Sequence, residues 1–511
     1  MASPRTRRVF LIAAANLGVL FALLGVTELA CRYLARATTE LRHPEQHKLP
    51  PKGASELRVF AFGASTVWGE PVPEVGFVAQ MQYWLQRLYP DRNIRIYNFG
   101  QPGKDTGYVL NELTRRLDDQ PDLMMVVTGG NEFVWWVPAT EERIARVRDA
   151  LSAHFATMRL MQWGMSRIMK SREEFLMPCQ VQPWDRQSVA FKNRMAAFTR
   201  NMGLIVEQAH QRGVKLIVGT LPSNIADWPP VYKKLAGRDQ RYSETVLRIQ
   251  ELIREAKYQK ASEAVKNGFQ VYTNDAMLYF LQGRIQSATG DYGAARDSFL
   301  KAKDLDPFPW RTSSEINSTI RKLASGVPDV YLVDLEKEYE ERSANGLVGF
   351  DLIADNVHGT PRGESVSAQA MMQAMAAVGF LPGPAKLQQE CCPLSTFLAD
   401  TGYLKPKSPL LLHALLDTAT FAMKSPFLNY DASRMYLFKA LQVDERSWEV
   451  WANLATLSYL TGDTAGGSKQ LQRATELHRG PLNTSDRDST PYLKEALEGR
   501  DGRATKCAAS L

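Results

Sequence analysis

The stretch "RVFAFGASTVWGEP", Arg58 to Pro71, decides how this chain folds. Its first part alternates and is apolar, from Val59 to Phe62, and stops at Gly63-Ala64-Ser65. A buried strand that ends on a serine between small residues fits a strand-to-helix turn. There the serine either caps the helix or presents its hydroxyl at the sheet edge. The segments around it separate these readings.

From Leu57 onward, strand and helix patterns alternate. Residues 57–62, 94–99, 123–128, 214–220 and 330–334 read as short, apolar, β-branched strands. Residues 76–90, 106–119, 140–170, 187–212 and 363–380 read as helices. Strands buried on both faces between helices imply a doubly wound α/β domain with a five-stranded parallel sheet, flavodoxin-like in type. Sites in such folds form at the carboxyl ends of the strands. Ser65 follows the first strand, Gly100 and Gly103 the second, and Asn131 the third, so the three loops share one edge.

A serine hydroxyl needs a base, the base an orienting carboxylate, and the tetrahedral intermediate hydrogen-bond donors. "DNVH", Asp355 to His358, follows the fifth strand and precedes the last helix, and supplies the carboxylate and the base. "NFGQPGKDTG" supplies a glycine backbone at Gly103, and "GGNE" an uncharged amide at Asn131. Together these segments resemble the SGNH hydrolases, also called GDSL esterases, over residues 57–135, 214–230 and 328–380. The resemblance implies Ser65 as nucleophile and Asp355 and His358 as orienter and base. It also implies an oxyanion hole from the Ser65 and Gly103 N–H groups and the Asn131 amide, with no metal or cofactor. Two positions depart from the family pattern: Ala64 and Glu132 stand where Asp is usual.

Trp68, Glu132, Asn224 and Asp227 are candidate substrate-lining residues, and Phe133, Trp135 and Trp136 flank the same edge. For the aromatics the alternative is core packing, and for "LPSNIADWPP" (221–230) simple loop shaping. His154 and His210 lie in helical patterns and read as surface or core residues.

About 110 residues separate the fourth and fifth strands. Within them, "LYFLQGRIQSATGDYGAARDSFLKAKDLDP" (278–307) turns at Gly290-Asp291 and places Ala295, Phe299, Ala302 and Leu305 on one helical face. "SWEVWANLATLSYLTGDTAGGSKQLQRATEL" (447–477) repeats the pattern with Gly462-Asp463, Gly467, Leu471, Ala474 and Leu477. Ala440 and Ala474 stand 34 residues apart. Both stretches resemble tetratricopeptide repeats, whose period this is, and the resemblance implies a surface for a protein partner; generic helical hairpins are the alternative.

The chain has 511 residues, 44% apolar and 23% charged, with a net charge of +7. Its basic residues are dispersed, so nucleic acid is not indicated. "MASPRTRR" precedes an uncharged run from Val9 to Val26, long enough for one membrane span. Arg5, Arg7 and Arg8 favour a cytoplasmic N-terminus, while Arg32, Arg36 and Arg42 oppose it. The alternative is a cleaved signal peptide; either places the rest of the chain outside the cytoplasm, periplasmic or extracellular. Of the five cysteines, Cys391 and Cys392 are expected to pair elsewhere, with Cys179 or Cys507, or to stay free.

The expected organisation is an anchor (1–35), a linker (36–56), the α/β domain in two parts (57–235 and 326–382) around a helical insertion (236–325), a linker (383–410), helical repeats (411–485) and a tail (486–511). The expected activity is a membrane-tethered esterase or deacylase acting on O-acyl esters, with envelope carbohydrate as a candidate substrate. Two alternatives stand beside it: an O-acyltransferase modifying an extracellular polysaccharide, and an interaction scaffold with a degenerate hydrolase domain.

Overall fold

The computed structural model describes residues 25–30, 49–134, 157, 183–231, 240–382, 387, 391–424, 427–480, 482, 492–493 and 496–497. The chain divides into two compact units. The first comprises residues 1–52 and 136–180. There the Glu28 carboxylate accepts from the Thr157 backbone N–H at 3.0 Å and also from its hydroxyl. The expected span from Val9 to Val26 lies outside the described residues except for its last two positions, and the helix expected over 140–170 lies outside them except for Thr157. Among the described residues no helix is long and apolar enough to cross a membrane.

The second unit, residues 53–135 and 181–511, contains the sheet. Its strands are β1 (Glu56–Gly63), β2 (Asn93–Gly100), β3 (Leu123–Val127), β4 (Lys215–Gly219) and β5 (Val330–Val333). All pair in parallel, in the order β2-β1-β3-β4-β5. Strand β3 is buried throughout and β1 nearly so, as an interior parallel strand must be when helices cover both faces. Arg58 nonetheless sits inside β1, 2% exposed. Its guanidinium donates to both Glu56 carboxylate oxygens at 3.0 and 3.2 Å and to the Asp119 carbonyl at 2.9 Å. A buried charge is tolerated when paired and hydrogen-bonded in this way.

The short helix α1 (Ser65–Trp68) follows β1 directly, and α2 (Phe77–Leu88) comes next. Helices α3 (Thr106–Arg116) and α4 (Val189–Gln211) follow β2 and β3 and pack on each other. Between β4 and β5 the described residues form first α5 (Gln240–Arg254), α6 (Tyr258–Val271), α7 (Ala276–Ala288) and α8 (Tyr292–Leu305). Helix α9 (Ser314–Ala324) then returns to pack on α4 and β5. After β5 come α10 (Leu335–Arg342) and α11 (Pro361–Ala377), the latter packed on α2. The C-terminal part comprises α12 (Leu394–Asp400), α13 (Pro409–Met423), α14 (Tyr430–Val443), α15 (Trp448–Leu460) and α16 (Thr464–His478).

The two quoted helical stretches form the hairpins α7–α8 and α15–α16. In each, the aspartate after the turn glycine caps the second helix. Asp291 accepts from the Ala294 N–H, and Asp463 from the Gly466 N–H. In each, a glycine of one helix faces an aromatic ring of the other, Gly283 against Phe299 and Gly467 against Tyr459. Cys391 and Cys392 are paired with each other, which corrects the expected pairing with distant cysteines. Cys179 and Cys507 lie outside the described residues.

The main apolar core of each helical part is continuous with the α/β domain. The apolar cluster of α5–α8 continues into Tyr339, Leu352, Ile353 and Val366 of the α/β domain. That of α13–α15 closes over Ala354, and the Tyr436 hydroxyl donates to the Ala354 carbonyl at 2.6 Å. Tyr436→Phe therefore leaves a buried carbonyl without its donor, and should lower stability by about 1–3 kcal/mol. Urea unfolding checks this, and an unchanged midpoint would show the contact to be neutral.

Candidate active site

Strand β1 ends where the chain must turn within one residue. A Cβ at Gly63 would meet the Val67 side chain at 2.2 Å and the Val127 carbonyl at 2.3 Å. A Cβ at Gly100 would meet the Trp68 nitrogen at 2.3 Å. The two glycines at the ends of β1 and β2 thus let α1 seat directly on the sheet edge. Ser65 is the first residue of α1, and its hydroxyl faces away from the sheet toward the loop after α10. It makes no cap bond, so the capping role does not apply.

That loop is closed by its own backbone. Ile353 and Gly359 form a bridge, and the Ala354 N–H donates to the His358 carbonyl at 2.7 Å. One oxygen of Asp355 accepts the backbone N–H groups of Val357 and His358, each at 2.8 Å. Its other oxygen lies 2.6 Å from His358 Nδ1. With Nδ1–H donating to Asp355, the neutral ring turns Nε2 outward as an acceptor, 2.8 Å from Ser65 Oγ. Asp355, His358 and Ser65 are all buried. The three residues expected from the sequence therefore form one hydrogen-bonded relay.

Asn131 stands in the turn after β3. Its amide donates to the Lys104 carbonyl at 3.0 Å, next to Gly103, whose φ is +72°. Two of the three expected oxyanion donors, Gly103 and Asn131, thus come from loops tied to one another. An amide carries two N–H bonds, so one bond to Lys104 leaves the second for an oxyanion. Glu132, 3% exposed, accepts the Thr106 N–H at 2.8 Å, at the start of α3. Burial, with Asp105 nearby, pushes its carboxyl up to about 7. It braces the Gly103 loop and does not line a cleft.

Trp68 is 43% exposed at the edge of the site. Asn224, expected as a lining residue, is fully buried. Its oxygen accepts from the N–H groups of Asp227 and Trp228, and its amide donates to the Ile353 carbonyl. The Asp227 carboxylate accepts from the Phe350 N–H at 2.8 Å. Both shape the loops beside the relay. Phe133 stacks on Phe191, 4.4 Å between ring centroids, and is core. Trp135, Trp136 and His154 lie outside the described residues.

The sequence reading missed four residues around His358. Glu70 Oε2 lies 3.4 Å from His358 Nε2. Phe421 of α13 sets its ring edge-on to the imidazole, 6.0 Å between centroids. Asp417 and Lys424, four residues before and three after Phe421, share its helical face, and their charges act on Glu70. Glu70 belongs to the quoted stretch itself. The α13 residues carry only a helical spacing as signal. A cavity of ≈ 160 Å³ opens here, lined by Glu70, Val72, Ala354, Thr360, Leu415 and Tyr436 among others.

Burial alone would lower the His358 pKa, but the carboxylates of Asp355, Glu70 and Asp417 outweigh it and raise the imidazole to about 9. Burial pushes the Glu70 and Asp417 carboxyls up and the Lys424 ammonium down. Glu364, buried on the same side and held by the Phe77 N–H at 2.7 Å, is pushed up to about 7. Among the described residues no group of side chains has the makings of a metal site.

No family model matches the chain. No curated protein matches it either. Among solved structures it is similar to LAE5, an alpha/beta hydrolase from the metagenome of Lake Arreo, at 14% identity over 65% of this chain and 98% of that one, TM-score 0.29. A member of the lipolytic G-D-S-L family from Veillonella parvula matches at 10% identity over 63% and 98%, TM-score 0.30. Axe2, an acetylxylan esterase from Geobacillus stearothermophilus, matches at 12% identity over 65% and 98%, TM-score 0.29. At these values the chemical argument rests on this chain's own side chains.

A base must be neutral to take a proton. With the imidazole raised to about 9, acylation of Ser65 should increase with pH and reach half its maximum near pH 9. An ordinary imidazole would place that midpoint at about 6.5. A pH profile of kcat/KM for a short acyl ester decides; a midpoint at or below pH 7 would show that the carboxylates do not govern His358.

Proposed function

We propose that this chain is a serine ester hydrolase of the SGNH type. The single observation that carries this reading is the relay from Ser65 Oγ through His358 to Asp355, at 2.8 and 2.6 Å. In the proposed reaction His358 takes the Ser65 proton as Oγ attacks the ester carbonyl. The Ser65 and Gly103 N–H groups and the Asn131 amide hold the oxyanion. His358 passes its proton to the departing alcohol. Water then cleaves the acyl-enzyme in a second cycle with the same base. The motif resemblance favours an O-acyl group on carbohydrate or a simple carboxylic ester as substrate, and the uncharged N-terminal run favours the envelope side of a membrane. The same acyl-enzyme would serve transfer to a sugar hydroxyl, so product analysis separates the two. The hairpins α7–α8 and α15–α16 are proposed as tetratricopeptide-like units offering a surface to a protein partner. An inactive scaffold is disfavoured, because a binding surface needs no relay of three matched residues.

Ser65→Ala should abolish both fluorophosphonate labelling and turnover of short acyl esters, with circular dichroism unchanged. His358→Ala should cost nearly as much, since the two act as a unit. Asn131→Ala should lower kcat by about 10²–10³. Full turnover by Ser65→Ala would end the esterase reading.

The uncharged run from Val9 to Val26 is proposed as the tether, with residues from Leu57 outside the cytoplasm. Protease treatment of intact cells or spheroplasts should then digest the α/β domain. Protection until the membrane is lysed would place it in the cytoplasm, and recovery of an intact domain in the soluble fraction after cleavage near Ala30 would identify a signal peptide.

A further inference from the structure

Two oxygens converge on one nitrogen in this site. His358 Nε2 lies 2.8 Å from Ser65 Oγ and 3.4 Å from Glu70 Oε2. The relay to Ser65 requires only the first. Glu70 is fixed relative to the nucleophile by the turn they share, its own N–H donating to the Ser65 carbonyl at 3.1 Å. Its carboxylate is 36% exposed and faces the cavity under α13. Among the described residues no donor other than His358 comes within hydrogen-bond distance of it.

Once Ser65 carries an acyl group, its oxygen has no proton to give, and Nε2 must find another donor. A water about 2.8 Å from both Nε2 and Oε2 completes a triangle on the observed 3.4 Å base, with ordinary hydrogen-bond lengths on both sides. Water has two hydrogens, and the two acceptors take one each. Resting on the esterase reading, we propose that Glu70 is a further catalytic residue, whose carboxylate holds the second hydrogen of the water that resolves the acyl-enzyme. The water oxygen bonds to the acyl carbon while its first proton passes to Nε2. The tetrahedral intermediate then collapses, the bond from carbon to Ser65 Oγ breaks, and His358 returns the proton to Oγ. The second hydrogen stays on the incoming oxygen, bonded to Glu70 until the carboxylic acid leaves.

This role differs from that of a charge partner for His358. Both half-reactions pass through an imidazolium, so a charge partner would assist them alike. A water-holding group assists only the second. It also biases the outcome. A simple alcohol has one hydroxyl hydrogen and leaves Glu70 unsatisfied, so the native site favours hydrolysis over transfer.

Stopped-flow turnover of a chromogenic short-chain acyl ester separates the half-reactions. At a pH above the His358 midpoint, where the base is neutral with or without Glu70, the burst of acylation in Glu70→Ala should stay within about threefold of the native rate, while deacylation falls about 10–100-fold, as expected when an attacking group loses its orientation. Intact-mass spectrometry should then find the acyl-enzyme accumulated on Ser65. Glu70→Gln keeps an acceptor oxygen and should slow deacylation less. With methanol added, the ratio of methyl ester to free acid should rise in Glu70→Ala relative to the native protein. An equal fall in both half-reactions would make Glu70 a charge partner and overturn the proposal alone. Native deacylation in Glu70→Ala would do the same. Failure of the native protein to acylate at Ser65 would overturn this proposal and the esterase reading together.

Discussion

The site depends on one carboxylate. Asp355 accepts three hydrogen bonds, from two backbone N–H groups at 2.8 Å and from the His358 ring at 2.6 Å. The spacing of three residues between Asp355 and His358 is what allows this. The same anion that winds the backbone into a tight turn also orients the ring that the turn carries. A charged acceptor makes hydrogen bonds about twice as strong as neutral ones. The loop's own hydrogen bonds thereby aim Nε2 at Ser65.

What surrounds that loop decides its electrostatics. Asp355, Glu70 and Asp417 place carboxyls near one imidazole, and Lys424 at the end of α13 offsets them in part. The C-terminal helices thus do more than extend the surface. Ala354 belongs to their apolar core, and Phe421 packs on the ring itself. The base of the relay is shared between the α/β domain and the helices that follow it, so its proton affinity is a property of both.

Much of the sheet and the relay was legible in the sequence, because each strand is short, apolar and followed by a loop with unusual chemistry. Val59–Phe62 ending at Ser65, and Asp355 three residues before His358, are local signals that survive without tertiary knowledge. Asn224 and Asp227 show the limit of such reading. Their position after β4 was right for a cleft, but the Asn224 oxygen is taken by the N–H groups of Asp227 and Trp228 and is buried, while Asp227 stays exposed and gives one carboxylate oxygen to the Phe350 N–H. Only the folded loop reveals that. Glu70 was missed for the opposite reason. It lay inside the quoted motif, yet nothing in its neighbours announces that His358, 288 positions later, comes to rest beside it. The α13 face was illegible because a helix with apolar residues on most sides does not declare which face meets a site.

The fusion of the catalytic loop with the last helices also orders the assembly of the protein in time. Ser65 and His358 are 293 residues apart, so the relay cannot close until well over half of the chain has been synthesised. Tyr436, which holds the Ala354 carbonyl, comes later still, 82 residues after Ala354. A chain still attached to the ribosome carries its nucleophile early, its base late, and the support for that base last of all. The supported form of the relay is thereby tied to completion of the C-terminal helices, and a fragment truncated before them would hold every residue of the relay while leaving the apolar surface around Ala354 open to water.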